Sequence, residues 1–212
     1  AVLSGTGVGG GSLVYANTLP IPKSTFFKTG SWSQLLDWEK ELTPYYKEAL
    51  RMLGAAKTPK LFDADLGLKK VAQKLHIEDK FKATNVAIYF GEENVTKKDP
   101  YFEGKGPERT GCNYCGACMT GCRNNSKNTL DKNYLFLAQK LGAEILAEHE
   151  VYDVRPIHEE DGTSGYEIAI KTSTKLISKR TKIKSKGVIF SGGVLGTVKL
   201  LLKLKMSSLP NL

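Results

Sequence analysis

Residues 4–11 read Ser-Gly-Thr-Gly-Val-Gly-Gly-Gly, and no regular element can be built from such a stretch. Glycine costs about 1 kcal/mol relative to alanine inside a helix, and it gives a strand no side chain to pack. What the stretch can do is turn with positive φ and let another group come against bare main chain. It lacks the Lys-Ser/Thr pair of a phosphate loop and the strand-before, helix-after setting of a dinucleotide fingerprint. It therefore reads as a loop, either a flexible connector or a place where backbone amides meet a phosphate or a ring edge. A second glycine element, Ser191-Gly192-Gly193, lies between an expected strand at 187–190 and an expected helix at 194–205. Ligands of open α/β sheets bind at strand ends of this kind, and a purely structural turn fits as well.

The four cysteines of the chain, Cys112, Cys115, Cys118 and Cys122, form one C-x2-C-x2-C-x3-C run. The spacing is that of a bacterial ferredoxin without its following proline. Four readings are open. Three thiolates could hold an iron–sulfur cluster, the usual fourth ligand of this spacing serving a second cluster for which no cysteines exist here. Zinc normally takes two pairs with a longer spacer. A local disulfide would most easily join Cys115 and Cys118, and free thiols could pack the loop. Metal, if bound, is iron–sulfur ahead of zinc.

Between these motifs the periodicity predicts helices at 33–52, with Pro44 as a break or a new start, and at 63–75. A β-branched and aromatic run at 85–90 reads as a strand and 92–110 as a loop. A helix at 129–141 stops at Gly142. Strands follow at 144–148, 151–158, 165–172, 175–184 and 187–190, with a hairpin turn at Glu160-Asp161-Gly162. The fold class is α+β. Asp131 and Lys132 fall on the helix after the cysteines, facing solvent. His76, His149 and His158 have no partner at metal or triad spacing, so no catalytic residue is assigned.

The 212 residues carry a net charge of +9, densest over 171–186. That stretch alternates, which suggests the wet face of a strand, and a solvated basic face is the ordinary explanation. No nucleic-acid partner is expected, because the cations are not gathered on one face among aromatics. An anionic partner or a membrane surface stays open. No apolar run reaches membrane-spanning length. The glycine-rich start does not read as a signal peptide, which favours the cytoplasm, and a chain beginning at Ala1 looks like a piece of something longer.

Three stretches together resemble the glucose–methanol–choline (GMC) oxidoreductases, in particular their cholesterol-oxidase-like branch. They are GTGVGGGSLVYANTLPIP near the start, NNSKNTLDKNYLFLAQKLGAEILAEHEVYDV in the middle, and VIFSGGVLGTVKLLLKLK with SLPNL at the end. Bacterial relatives often carry a CGxCxxGC string before the lysine, as here.

The resemblance implies an FAD-binding, Rossmann-type domain interleaved with a β-sheet substrate domain. Residues 1–25 would be the flavin-contacting glycine segment, 26–110 helical and substrate-domain parts, 111–128 the cysteine loop, and 129–212 the rest of the FAD domain. It also implies oxidation of an alcohol, including a 3β-hydroxysterol, by hydride transfer to FAD. Gly9, Gly10, Gly11 and Ser12 would lie along the flavin and its pyrophosphate. Asn17 would contact the isoalloxazine, although Tyr15 occupies the place of the usual asparagine. Val151 would hold adenine through its main chain, with Gly192 and Gly193 against the adenosine half. The family's opening GxGxxG turn would precede Ala1, and its general-base histidine and partner asparagine would follow Leu212. The expectation is an inactive internal fragment of the enzyme, whose partners are its own missing N- and C-terminal parts. The exposed sheet edges this leaves make homo-oligomerisation a hazard. The alternative is a metal-binding electron-transfer module built on Cys112, Cys115, Cys118 and Cys122.

Overall fold

The computed structural model describes residues 5–158 and 161–212. The chain divides into two compact units, Ala1–Ala143 and Glu144–Leu212. Both combine helices with small antiparallel sheets, the α+β class read from the sequence.

The first unit runs α1 (Ser24–Phe27), α2 (Trp38–Met52), β1 (Ala56–Lys57), α3 (Asp63–Lys74), β2 (Asn85–Val86), β3 (Thr96–Lys97), β4 (Arg109–Thr110) and α4 (Tyr134–Lys140). Helix α2 starts later than residue 33 because the Asp37 carboxylate accepts the Lys40 amide at 3.2 Å and caps it. Pro44 neither breaks nor starts a helix: it sits inside α2. The carbonyl that Pro44 leaves without a donor belongs to exposed Lys40, so water can satisfy it.

The strand expected at 85–90 is shorter than its composition suggests. Only Asn85 and Val86 form a ladder, with β1. Beyond them the extended chain bonds to one segment after another. Ala87 donates to the Asn17 carbonyl at 2.9 Å and accepts from the Asn128 amide at 2.8 Å. Tyr89 donates to Ser126 at 2.8 Å and accepts from Cys112 at 3.0 Å. Ala87 and Ile88 are buried as a result. The helix expected at 129–141 is split into a 3-10 turn, Leu130–Lys132, and α4. Asn133 causes the split: its backbone leaves the helical region (φ −135°, ψ −96°) while its side chain accepts the Tyr134 amide at 2.6 Å.

The second unit is a meander of β5 (His149–Pro156), β6 (Tyr166–Thr172) and β7 (Arg180–Ser185), in that order, followed by α5 (Val194–Lys205). Val154 of β5, Ile168 and Ile170 of β6, and Leu204 of α5 form its buried core. The expected strands at 144–148 and 187–190 are in no ladder among the described residues. The first is interrupted by a turn at 147–148, where Glu148 has φ 57°. At the second, the Ser185 hydroxyl donates to the Gly187 carbonyl at 2.7 Å and bends the chain out of β7. The strand expected at 175–184 begins only at Arg180. Its alternation buys no dry face, because β7 is an edge strand exposed along its whole length. In the hairpin turn, Glu160 lies outside the described residues; Asp161 accepts the Thr163 amide at 2.9 Å and Gly162 has φ 75°. Ser4 of the glycine run is likewise outside them.

Truncation of the fully buried Leu204 removes part of that core. Leu204→Ala is expected to destabilise the protein by about 3 kcal/mol, whereas Leu195→Ala, on the exposed side of the same helix, should change it by less than about 0.5 kcal/mol. Urea titration followed by circular dichroism distinguishes the two.

Candidate functional site

The glycine run of the first unit folds as a tight loop into a 3-10 turn, Gly10–Leu13. Gly9 and Gly10 have φ 108° and 55°, conformations that disfavour a side chain. Gly10 donates to the Gly7 carbonyl at 2.9 Å, and Ser12 to Gly9 at 3.2 Å. The Ser12 hydroxyl donates to the Gly9 carbonyl at 2.6 Å and accepts the Leu130 amide at 2.9 Å, which fastens the loop to the segment after the cysteines. A Cβ on Gly9 would lie 3.3 Å from Asp131 Oδ1, while one on Gly10 or Gly11 would meet nothing within 4 Å among the described residues. Gly10 and Gly11 therefore present bare main chain to open space.

Asn17 is buried in a left-handed conformation, φ 65°. Its Oδ1 is buried without a partner among the described residues, as are Asp131 Oδ1 and Asn133 Nδ2. Asp131 and Lys132 are half-buried and not solvent-facing as expected, because the interrupted helix turns them inward. Lys132 donates to Asn125 Oδ1 at 2.6 Å, and burial, then the Arg109 charge, pulls its ammonium below the ordinary lysine value.

Two buried cations that the sequence did not single out hold this region together. Lys127 Nζ donates to the carbonyls of Leu13, Tyr15 and Cys118 at 3.0, 2.9 and 2.9 Å. It also lies 4.8 Å from the centre of the Tyr15 ring. Burial pushes the Tyr15 phenol up to about 12, so it stays a neutral donor, to the Asn128 carbonyl at 3.3 Å. Arg109 donates to Asn128 Oδ1, Asn125 Oδ1 and the Lys127 carbonyl. The available signal was the asparagine-rich string 124–128, polar and outside every expected element, yet buried at Ser126, Lys127 and Asn128.

All four cysteines are free thiols, Cys115 exposed and the others half-buried; the Cys115–Cys118 disulfide does not form. Among the described residues no three His, Cys, Asp or Glu side chains gather as a metal cage. Burial pushes the Cys112 thiol up. Burial acts the same way on Cys122, but the amides of Lys127, Ser126 and Asn124 and the charge of Lys132 outweigh it and leave that thiol below its ordinary value. His76, His149 and His158 are all exposed.

In the second unit, Val151 and Gly192 line one cleft of about 800 Å³, together with Gly196, Thr197, Lys199 and Lys203. Gly193 is not among the residues lining it. It is the N-cap of α5, with φ 82°, and no side chain caps the helix. The first-turn amides of α5 and the positive end of its dipole are thus available to an anion. A bulge between Val151 and Asp153 interrupts the β5 ladder, and the Tyr152 carbonyl accepts Lys203 Nζ at 2.9 Å.

These features fit the FAD that the resemblance implies. Bare main chain at Gly10 and Gly11 leaves room for a flat ring or a pyrophosphate. The unpartnered oxygens of Asn17 and Asp131 offer acceptors. The uncapped start of α5 and the adjoining cleft suit the phosphate and base of a nucleotide.

The family described as GMC oxidoreductase matches residues 1–209. A cholesterol oxidase of Acinetobacter baumannii is 44% identical over 218 residues, covering 100% of this chain and 39% of that protein. A cholesterol oxidase of Mycobacterium tuberculosis is 41% identical over 210 residues, covering 96% of this chain and 36% of its own length. The chain thus spans well under half the length of these relatives. No solved structure matches it.

Two measurements check the site. Lys127→Met strands three carbonyls and should lower stability by about 3 kcal/mol or more; Lys127→Arg should not restore it, because a planar guanidinium cannot place donors as an ammonium does. The thiolate is the form that reacts with iodoacetamide. Cys122, with its lowered value, should stay reactive as pH falls after Cys112 has ceased to react, as peptide mass mapping would show.

Proposed function

Because the chain belongs to the GMC oxidoreductase family, we propose that it is the cofactor-binding part of an FAD-dependent alcohol oxidoreductase, of the class acting on CH–OH donors, with a 3β-hydroxysterol as substrate. The observation that carries the cofactor is the open space beside Gly10 and Gly11 among the described residues, on a loop that Ser12 and Lys127 fasten at its C-terminal end. The sterol rests on the two relatives named cholesterol oxidase.

In this reading Gly9, Gly10, Gly11 and Ser12 hold the flavin and pyrophosphate, with Asn17 beside the ring. Val151, Gly192 and Gly193 take the adenosine half. When bound, FAD supplies the acceptor for the hydride of the alcohol. The chain's own residues bind and orient it: Ser12 and Lys127 fix the loop, and the α5 amides face phosphate. Proton removal from an alcohol needs a base within hydrogen-bond reach of the hydroxyl. None of the three exposed histidines is assigned that task, so these 212 residues alone should not turn over. The cysteine loop is assigned no electron-transfer step.

Gly11 separates ligand space from backbone strain, since its φ lies outside the positive range and its Cβ would meet nothing within 4 Å among the described residues. In the full-length protein, Gly11→Val should weaken FAD binding by tenfold or more, read by flavin fluorescence, with the melting temperature of the flavin-free protein unchanged. Unaltered FAD affinity would remove the cofactor assignment from this loop. Oxygen uptake by the loaded protein with cholesterol, but not with a short primary alcohol, tests the substrate.

A further inference from the structure

We propose that the tip of the β6–β7 hairpin is a docking element for an anionic lipid surface, with Leu176 and Ile177 entering the headgroup boundary. These two consecutive side chains are 103% and 85% exposed. A single exposed aliphatic is common on any protein; two in a row, at the far end of a hairpin, bury nothing in the fold that presents them.

The hairpin holds them there firmly. At the base of the tip, Thr172 and Lys179 close on each other. The Thr172 amide donates to the Lys179 carbonyl at 3.0 Å, and the Lys179 amide to the Thr172 hydroxyl at 2.9 Å. The Ser178 hydroxyl donates to the Thr172 carbonyl at 3.0 Å. On the other side, the Ser173 amide donates to the Glu148 carbonyl at 2.8 Å and the Thr174 hydroxyl to the Glu148 carboxylate at 3.0 Å. The loop is closed below its apolar tip, so the tip is presented outward by design of the hydrogen bonds.

Charge selects the partner. Lys171 and Lys182, further down the sheet, pair with Glu150 and Glu167. Lys175 and Lys179, which bracket the two aliphatics, form no ion pair among the described residues. An aliphatic tip with a collar of unpaired ammonium groups matches a bilayer carrying acidic headgroups. The hydrocarbon leaves water while the lysine stems reach back to phosphate. A nucleic acid would call for aromatic rings to stack on bases, and residues 173–178 contain none. The proposal needs neither FAD nor turnover, so it stands or falls apart from the redox reading.

Co-sedimentation of the purified protein with phosphatidylcholine vesicles, with and without phosphatidylserine, tests it. Binding is expected only with phosphatidylserine and should weaken as salt is added. Lys175→Gln and Lys179→Gln should each lower partitioning about fivefold. Leu176→Ser with Ile177→Ser should lower it about tenfold or more, with an unchanged melting temperature, since neither side chain supports the core. Equal binding to both vesicle types, wild-type binding by the Leu176→Ser/Ile177→Ser variant, or capture by acidic polypeptide or single-stranded DNA in place of vesicles would overturn it.

Discussion

One ammonium group joins parts of the first unit that no helix or sheet connects. Lys127 uses its donors on the carbonyls of Leu13, Tyr15 and Cys118, which belong to the end of the glycine loop and to the cysteine loop. Its acceptors are main-chain carbonyls, so the junction does not depend on the ionisation of an acid. Taking a lysine out of water costs several kcal/mol, while a hydrogen bond to a charged group contributes about 1.5–3 kcal/mol. Three such bonds and the face of Tyr15 offset the penalty with a modest margin. What the arrangement gives is one fixed geometry: any displacement of the glycine loop strands the charge. Arg109 repeats the device beside it, with amide oxygens and a carbonyl in place of a carboxylate.

This explains how a unit with so little regular sheet holds its shape. Its strands are two residues long, and a ladder of that size is marginal in water. The extended run through Ala87 and Ile88 instead takes a bond from each of several loops in turn, and the buried cations pin those loops at their other ends. The cysteine loop is part of the same frame, tied through the Cys118 carbonyl to Lys127 and through the Cys122 sulfur, which accepts the Ser126 amide at 3.3 Å. Free thiols that pack and accept amides need no metal to account for their place.

How much of this could be read beforehand follows from which forces were local. Helix α5 and strands β5 and β6 were legible because their apolar residues meet at short range, in one meander and one helix. The start of α2 was missed by several residues, since one aspartate cap outweighed the apolar spacing before it. The strands expected at 144–148 and 187–190 had the composition but no neighbour to pair with among the described residues. Least legible were Arg109 and Lys127: the burial of each is set largely by partners more than a dozen residues away, and a polar string looks like surface until those partners are known. The inward turn of Asp131 follows instead from the helix break at Asn133. The glycine motifs were legible as chemistry before they were legible as structure, because the resemblance attached roles to them.

The glycines themselves divide into two kinds, and the division bears on what the chain is built to hold. Gly9, Gly10 and Gly193 have φ of 108°, 55° and 82°, so the backbone alone accounts for them. Gly11, Gly192 and Gly196 do not have positive φ. Gly196 lies inside α5, where glycine costs about 1 kcal/mol against alanine, yet a Cβ there would touch nothing. Neither strain nor close packing explains its presence. It lines the cleft shared by Val151 and Gly192, and Gly11 faces the open side of its own loop. In both places a methyl group would cost the fold nothing and would take volume from the space beside it. Gly67 inside α3 has equally open surroundings, so an unfilled Cβ position alone marks no ligand; Gly11 and Gly196 differ in lying within the segments that resemble the FAD-contacting parts of the family, where the proposed cofactor would use that space.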